Sequence, residues 1–333
     1  MKRLLLICFM ILFVATGVMA SNLVKKESYL STTLNVVGLP DFPPFSEYIK
    51  NDRDAYILKS AFLQPLIHAA QRNDIKMKTA DLKDTPDLKM LLLGMKSGDY
   101  HVFIGTYSDT KMFAGLEILY PAVISNPVHL ITLPETQEQI KTYADLKNLR
   151  GIASKSEYFS DFVLRKFKEL NITYVDNSLE AYEKLIIGEA DYMMGGLYYN
   201  KIAASQYGVS DFIAYSKKPL FKIPLFLSLS KETPVLSEYV RILKQELSKP
   251  EFATEVKNEI IRLVGEEIEK NDGTVPPSFA TIMREKAQSQ QDSAVEESPF
   301  EEDKPQQNNA IRHGRIVEHE QHQTTFDEAL DGI

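Results

Sequence analysis

One short pattern in the sequence is associated with nucleophilic catalysis. Ser108 and Lys111 have the spacing of Ser-x-x-Lys, in which a lysine assists a serine nucleophile. No Lys-Thr-Gly follows, and neither Gly-x-Ser-x-Gly nor His-Glu-x-x-His occurs in the chain. His68, His101 and His129 are scattered along the body instead of clustering. These features favour a binding protein over a hydrolase or a zinc enzyme.

The composition narrows the classes of function further. The chain has 333 residues, 44% hydrophobic and 25% charged, so it can bury a core of ordinary size. Its net charge of −8 argues against nucleic-acid binding through a basic stripe. Cys8 is the only cysteine, which excludes a disulfide framework and a cysteine-rich zinc site. We therefore expect no cofactor, no metal, no nucleic-acid partner and no enzymatic activity.

The two ends of the chain differ from the body. Lys2 and Arg3 precede an apolar run, and Ala20 closes a small-residue cleavage site, as in a secretory signal peptide. The run is shorter than the roughly twenty residues that span a bilayer, so we expect cleavage after Ala20 and export to the periplasm. Residues 287–333 hold eleven acidic and three basic side chains and are rich in Gln, Ser and Pro, which predicts a disordered acidic tail.

Strand-like and helix-like patterns alternate through the body. The spacing of apolar residues predicts a helix over 55–73, kinked at Pro65, a second over 88–96, and a third capped by Ser178. Short apolar runs between the helices predict strands, and a second copy of the same β-α-β pattern starts near residue 142. This order predicts an α/β fold of two lobes, each a doubly wound sheet with helices.

The loops that follow the strands are the expected ligand site. Open α/β sheets bind ligands outside the carboxyl ends of their strands. Here those ends are predicted after Val37, Ile104, Ala153 and Met194. We therefore expect the residues immediately after these four positions to lie close together between the lobes.

Five short stretches share their order and spacing with one known family. They are Asp41–Phe45, Leu91–Ile104 with its core Lys96–Tyr100, Ile118–Pro121, Tyr143–Lys147, and Leu185–Asp191, which ends in Gly188–Asp191. Together they resemble the family 3 periplasmic solute-binding proteins, the polar amino-acid receptors of ABC importers. The resemblance implies a type II periplasmic-binding-protein fold that closes around a small polar solute, amino-acid-like or a derivative, and delivers it to an ABC-type permease. We expect a monomer.

The resemblance also implies boundaries along the chain. Lobe 1 would comprise residues 33–128 and 224–265, and lobe 2 residues 129–223. Two hinge strands would join them, near Val128–Thr132 and Lys222–Leu227. A partly helical extension over 266–286 would connect the body to the tail.

Two ligand-reading positions depart from the family. In the family, the turn after the third strand leads to an Arg that grips the ligand α-carboxylate; here the turn begins at Gly105, and Met112 stands at the Arg position. A thioether cannot form the two parallel hydrogen bonds of a guanidinium, and Lys111, one residue away, offers only a point charge. Gly196 stands where lobe 2 of the family offers an Asp to the ligand ammonium. An ordinary α-amino acid is therefore not the expected ligand.

The remaining candidates carry hydroxyl, carboxyl or aromatic groups. They are Asp41, Phe45, Thr106, Tyr107 and Ser108 in lobe 1, and Ser154, Ser156, Glu157 and Tyr198 in lobe 2. Phe45 matches a family aromatic that packs on the ligand, and it is equally suited to the core; the same two interpretations hold for Tyr198. The hydroxyls of 106–108 either bind a ligand or cap the next helix. Ser156 either holds an anion where the helix of lobe 2 begins or is its N-cap.

Two alternatives to solute transport stay open. A binding module of the same fold that senses a solute, or that binds a partner through the acidic tail, agrees with the altered ligand positions. A small periplasmic dehydratase-like enzyme is a lesser alternative, because some relatives of this fold act as such enzymes.

Overall fold

The computed structural model describes residues 32–137, 139–140 and 142–271, so the predicted signal peptide and acidic tail lie outside the described residues. The strands of this part are β1 Leu34–Gly38, β2 Glu47–Lys50, β3 Tyr56–Lys59, β4 Met77–Thr79, β5 Val102–Thr106, β6 Glu117–Thr132, β7 Gly151–Ser154, β8 Thr173–Val175, β9 Tyr192–Gly196, β10 Ala214–Tyr215 and β11 Phe221–Leu229. The helices are α1 Leu63–Gln71, α2 Leu88–Ser97, α3 Pro134–Gln137, α4 Asp161–Glu169, α5 Ser178–Ile186, α6 Leu197–Gln206, α7 Leu236–Leu247 and α8 Pro250–Asn271. Among the described residues, no helix is long and apolar enough to cross a membrane.

One hydrogen-bonded path of strands runs through both lobes. Its order is β4-β1-β5-β11-β6-β9-β7-β8, with β10 paired to β6 and a separate β2-β3 hairpin. We define lobe 1 as β1 to β5 with α1, α2 and α7, and lobe 2 as β7 to β10 with α4 to α6. Strand β6 pairs with β11 and, over Val128–Ile131, with β9 of lobe 2, so it belongs to both lobes. The predicted α/β fold with two lobes and two hinge strands is confirmed.

Local sequence explains most of these elements. The strands β1 and β5 are almost entirely buried, as their continuous apolar runs predict for strands covered on both faces. Helix α2 starts where Asp87 accepts a hydrogen bond from Met90 N (2.8 Å) and ends at Gly98, whose φ of 82° suits glycine. Helix α5 is capped by Asn177, one residue before the predicted Ser178.

The helix predicted over 55–73 is wrong in its first half. Residues Tyr56–Lys59 form β3 and pair with β2, and helix α1 begins only at Leu63. The Ser60 hydroxyl separates the two elements, since it donates to Phe45 O (2.5 Å) and accepts from Phe62 N (3.0 Å). Pro65 lies in the first turn of α1, where a missing N–H breaks no helical hydrogen bond, so no kink is needed.

The last described helix crosses from one lobe to the other. Helix α8 packs against α1 and α7 of lobe 1 and against α6 of lobe 2. Lys59 Nζ lies 2.7 Å from Glu267 Oε1, and Ser205 Oγ donates to Ile268 O (3.3 Å). Helix α8 runs on past residue 265, and the predicted lobe boundaries stay a prediction. The lobes are thus linked by β6, β11 and α8.

Candidate functional site

The carboxyl ends of the strands in the two lobes meet at one seam, as expected for an open α/β sheet. Tyr107 Oη of lobe 1 donates to Tyr158 O of lobe 2 (2.8 Å). Phe162 N donates to Asp109 Oδ2 (2.7 Å), so a carboxylate of lobe 1 accepts from the first turn of α4. The loops after β5 and β7 are therefore in direct contact.

Aromatic rings fill much of this seam. The centroid of Phe42 lies 5.6 Å from that of Tyr158, and the centroid of Phe45 lies 6.0 Å from that of Tyr198. Both pairs join a lobe 1 ring to a lobe 2 ring in an edge-to-face arrangement, which the charge distribution of aromatic rings favours. Phe45 is fully buried, so it fills the core and faces lobe 2 at the same time.

The predicted residues after β5 separate into an inner and an outer group. Thr106 is fully buried, and its hydroxyl bonds to Phe226 O (3.2 Å) and Ser228 Oγ (2.8 Å), so it neither faces a ligand nor caps a helix. Tyr107 bridges the lobes. Ser108 and Lys111 are exposed, and Met112 is 46% exposed on a short 3-10 turn. The structure thus brings only the first part of this turn into the seam.

The turn after β5 starts at a glycine whose backbone conformation is unfavourable for other residues. Gly105 has a φ of 79°, in the left-handed region that side chains disfavour. A Cβ at this position would meet no atom within 4 Å, so open space lies beside it. Gly105 is consequently a place where the backbone itself borders the seam.

The serines after β7 bond mainly to each other. Ser154 Oγ lies 2.8 Å from Ser156 Oγ and accepts from Ser156 N (3.1 Å). Helix α4 begins at Asp161 with Ser160 as its N-cap, so the prediction that a helix starts at 154–157 with Ser156 capping it is wrong. The loop instead turns the next side chain, Glu157, inward.

Glu157 is the buried acid of the seam. It is 6% exposed; Oε2 accepts from Gly196 N (2.7 Å) and Oε1 from Asn200 Nδ2 (2.8 Å). Burial raises the pKa of Glu157 to about 8, although both hydrogen bonds act in the opposite direction. This shift favours the protonated form of the carboxyl near neutral pH.

Two adjacent glycines make room for this carboxyl. A Cβ at Gly196 would lie 3.0 Å from Asn126 Nδ2 and 3.3 Å from Glu157 Oε2, and a Cβ at Gly195 would overlap Glu157 and Asn200. Glu157 and Asn126 thus occupy the space into which an acidic side chain at 196 would project. Glu157 places a carboxyl, from a different loop, beside the position where the resembled family has an Asp.

Asn126, on the hinge strand β6, was missed by the sequence analysis. It is 1% exposed, and within the described part of the chain neither Oδ1 nor Nδ2 makes a hydrogen bond of standard geometry; the Tyr107 hydroxyl lies near enough for Asn126 to act on it and lower the pKa of Tyr107, without reaching that geometry. Buried amides without partners are uncommon and destabilising, which points to a group that is completed by something else. An Asn within a long strand carries no sequence signal that would have singled it out.

A second carboxyl lies at the rim. Asp41 has a φ of 51°, and partial desolvation raises its pKa. Burial, together with the charge of Asp41, raises the pKa of Tyr158 to about 12. Burial also raises the pKa of Tyr199 to about 12, and both Asp41 and Glu157 add to that rise. The seam therefore combines two carboxyl groups with tyrosine hydroxyls.

Tyr198 also borders a separate pocket of about 390 Å³ on the surface of the hinge. Its ring contacts Phe45 at the seam and lines this pocket between β6, β11 and α8. Of the residues that the structure describes, no group of three or more His, Cys, Asp or Glu is arranged to hold a metal ion.

Two lobes, shared hinge strands and a polar seam at the strand ends define the periplasmic-binding-protein fold. No protein-family model matches this sequence, and no curated protein matches it. Several solved structures do match its fold. One is a putative binding component of an ABC transporter from Wolinella succinogenes DSM 1740 complexed with lysine, with a TM-score of 0.53 and 17% identity over 71% of this chain and 97% of that chain.

Two further structures have the same fold. An amino acid ABC transporter substrate-binding protein from Streptococcus pneumoniae Canada MDR_19A, bound to L-arginine, gives a TM-score of 0.50 and 14% identity, covering 72% of this chain and 95% of that one. An ancestral cationic amino acid solute-binding protein gives a TM-score of 0.50 and 15% identity, covering 70% of this chain and 95% of that one. At these identities the comparison establishes the fold, and the residues of the seam must carry any argument about the ligand.

Proposed function

We propose that the protein is an exported solute-binding protein that captures a small polar solute between its lobes and delivers it to an ABC-type permease. One observation carries this proposal above the others. The seam holds Glu157 and the unpartnered amide of Asn126, both buried, at the place where this fold binds its ligands. A polar group kept buried without a partner is costly, so a site that uses it is favoured over a merely structural role.

The architecture supports capture by closure. Strand β6 pairs with β9 of lobe 2, and β11 pairs with β6 and with β5 of lobe 1. The contacts across the seam include Tyr107 to Tyr158, Asp109 to Phe162 and two pairs of rings. Parting the lobes at the hinge would expose Glu157 and Asn126 to water. Closure over a solute would bury them again.

Binding rather than turnover is proposed because, in the part of the chain that the structure describes, no base is hydrogen-bonded to Glu157. Its two hydrogen-bond partners are amide groups, Gly196 N and Asn200 Nδ2. General acid-base chemistry needs a titratable group placed against the reacting proton, usually with a second one to return it. The similar structures bear names of binding proteins, in agreement with this choice.

The proposal is tested by thermal unfolding of the exported chain. The protein is first unfolded and refolded to remove any bound solute, and then mixed with amino acids, amines, carboxylates and short peptides. A ligand at about 100 times its Kd stabilises the native state by roughly 2.7 kcal/mol. For a protein of this size, that shift is about 5–10 °C. No shift with any compound would contradict solute capture.

A non-transport binding module is the second candidate. It is favoured by Met112 and Gly196, which stand where the family pattern has an Arg for the ligand carboxylate and an Asp for the ligand ammonium. Deletion of residues 287–333 separates the two. A receptor for an importer keeps its affinity and its transport after the deletion, whereas a module that binds a partner through the tail loses that contact.

A further inference from the structure

The charge of the seam is one-sided. Asp41 lies exposed at its rim in lobe 1 and Glu157 is buried in lobe 2; partial desolvation raises the pKa of Asp41, and burial raises the pKa of Glu157. Among the described residues, no lysine, arginine or histidine counters that rise at either carboxyl. Lys155, the nearest lysine in sequence to Glu157, is exposed and pairs with Asp176 (2.6 Å). A carboxylate ligand would therefore meet two acids and no cation.

The acid is placed where a ligand ammonium would be bound. Glu157 Oε2 lies 3.3 Å from the position of a Cβ at Gly196, so its carboxyl takes over the volume of an acidic side chain at that residue. The position that would grip a carboxylate has no such replacement, because Met112 is a thioether and is 46% exposed. Compared with the family pattern, the seam has an acid, supplied by another loop, and no base at the Arg position.

The surroundings suit a cation in two further ways. Phe45 and Tyr198, and Phe42 and Tyr158, place aromatic rings from both lobes at the seam, and aromatic faces attract ammonium and guanidinium groups. Asn126 offers an unpartnered Oδ1 as acceptor on the hinge side of Gly196. A carboxyl, an amide oxygen and ring faces together complement a positively charged group with several N–H donors.

We propose that the ligand is an organic cation, a primary amine or guanidine without a carboxylate, and that Glu157 is its counter-charge. This inference rests on the proposed function, of which it specifies the substrate class. Glu157 binds in the ionised form, so the proton it carries in the closed, unliganded protein passes to water when the cation enters.

Matched pairs of compounds test the substrate class. Agmatine is arginine without its carboxyl group, and cadaverine is lysine without its carboxyl group, so each pair differs in one functional group only. We expect agmatine or cadaverine to bind at least about tenfold more tightly than its amino acid, because the amino acid brings an unpaired carboxylate into an acidic, desolvated site. Calorimetric titration of the refolded chain measures both members of each pair.

The outcomes separate this inference from the proposed function. Tighter binding of the amines supports both. Tighter binding of arginine or lysine, or of a carboxylate without an amine, overturns the inference and leaves solute capture in place. Absence of binding by amines, amino acids, carboxylates and peptides alike overturns both.

Glu157→Gln tests the counter-charge. The variant keeps the shape of the side chain but cannot ionise, and we expect amine affinity to fall by about tenfold or more. Glu189→Gln, on the surface of lobe 2 beside Lys184, removes a carboxylate far from the seam and serves as the matched control. Equal amine affinity in the wild type and Glu157→Gln would overturn the inference.

A measurement on the wild-type chain covers the case in which Glu157→Gln does not fold. The groups facing Glu157 are Gly196 N and Asn200, together with Tyr107, Tyr182, Tyr199 and Tyr215, and the pKa of each of these tyrosines is raised by burial and by the charge of Glu157. None of these neighbours titrates between pH 6 and 8. Amine affinity should therefore rise by nearly tenfold from about pH 6 to 7 and by about fivefold from about pH 7 to 8, where the carboxyl becomes half ionised. A flat profile would contradict ionisation of Glu157 on binding.

Discussion

Glu157 between the lobes and Glu246 within lobe 1 are almost equally buried, at 6% and 4% exposure, and their surroundings differ sharply. Glu246 accepts from Arg72 (2.9 Å), Asn73 (3.0 Å) and Lys249 (2.6 Å). Burial acts to raise the pKa of Glu246, but the bonds to Lys249, Asn73 and Arg72 outweigh it and lower the pKa to about 2. Glu157 has two neutral donors, and its pKa rises to about 8.

The difference separates a structural acid from a functional one. Glu246 lies on α7 and ties it to the end of α1, and its charge is balanced inside the protein. Glu157 is buried with its charge unbalanced, which costs stability unless it is neutral or a ligand supplies the opposite charge. A site kept in this state is a candidate for binding, since perturbed acids cluster at functional sites.

The largest expected effect comes from adding a second carboxyl at the unbalanced site. In Gly196→Asp, the new side chain meets Asn126 and Glu157 and places two acids side by side without a cation. We expect a loss of about 3–4 kcal/mol of unfolding free energy, from overpacking and from burial of a further charge. For a protein of this size, the melting temperature would fall by about 10 °C.

The matched control is Gly265→Asp in helix α8, where an added Cβ meets nothing within 4 Å. This variant should melt within a few degrees of the wild type. If Gly196→Asp were as stable as Gly265→Asp, the space at Gly196 would be free, and Glu157 would not be occupying the place of the missing acid.

Removal of the balanced acid has the next largest effect. Glu246→Ala leaves Arg72, Asn73 and Lys249 without their shared acceptor. Breaking a buried ion pair costs about 3–5 kcal/mol of unfolding free energy. Because both cations here are half exposed and can be hydrated, we expect a loss of about 2–3 kcal/mol, measured by urea unfolding. Asp54→Asn, which breaks an exposed pair with Lys50, should cost at most about 0.5 kcal/mol. Similar losses in both variants would contradict the structural role of Glu246.

The sequence was sufficient for elements whose signal is local. The strands β1, β5 and β9 and the helix α2 follow from apolar runs, caps and glycine stops within a few residues. The β2-β3 hairpin was missed, because Leu58, Phe62 and Leu66 have helical spacing although a strand ends at Lys59. Local periodicity cannot show where one element gives way to another when the apolar pattern continues across the boundary.

The candidate site was predictable only in outline. Glu157 and Gly196 were both identified from the sequence as single positions, but their contact joins residues 39 apart and depends on how β7 and β9 pair in the sheet. The burial that raises the pKa of Glu157 is likewise a property of the assembled lobes. The altered ligand positions, Met112 and Gly196, could be found by matching the sequence to the family pattern. The position of the Glu157 carboxyl beside Gly196 could be found only from the three-dimensional structure.

The smallest effect is a slope with pH, and it tests the comparison most directly. The folded-state pKa of Glu157 lies above its unfolded value, so its contribution to stability is complete below about pH 4.5 and is lost as pH rises toward 8. Glu246 behaves oppositely, because its lowered pKa gives a contribution that is complete above about pH 4.5 and is lost in acid. Of the two acids, therefore, only Glu157 should change the unfolding free energy between pH 5 and 8, by about 1 kcal/mol per pH unit. His101 and His129, whose pKa values burial lowers, are common to the wild type and the variants and cancel in the comparison. Urea unfolding of the wild type and Glu157→Gln at several pH values measures this: the free energy of the wild type should fall steadily relative to that of Glu157→Gln as pH rises through that window. The difference between the wild type and Glu246→Gln should stay constant. Parallel profiles for the wild type and Glu157→Gln would mean that Glu157 is charged in the folded protein, and the contrast between the two acids would be lost.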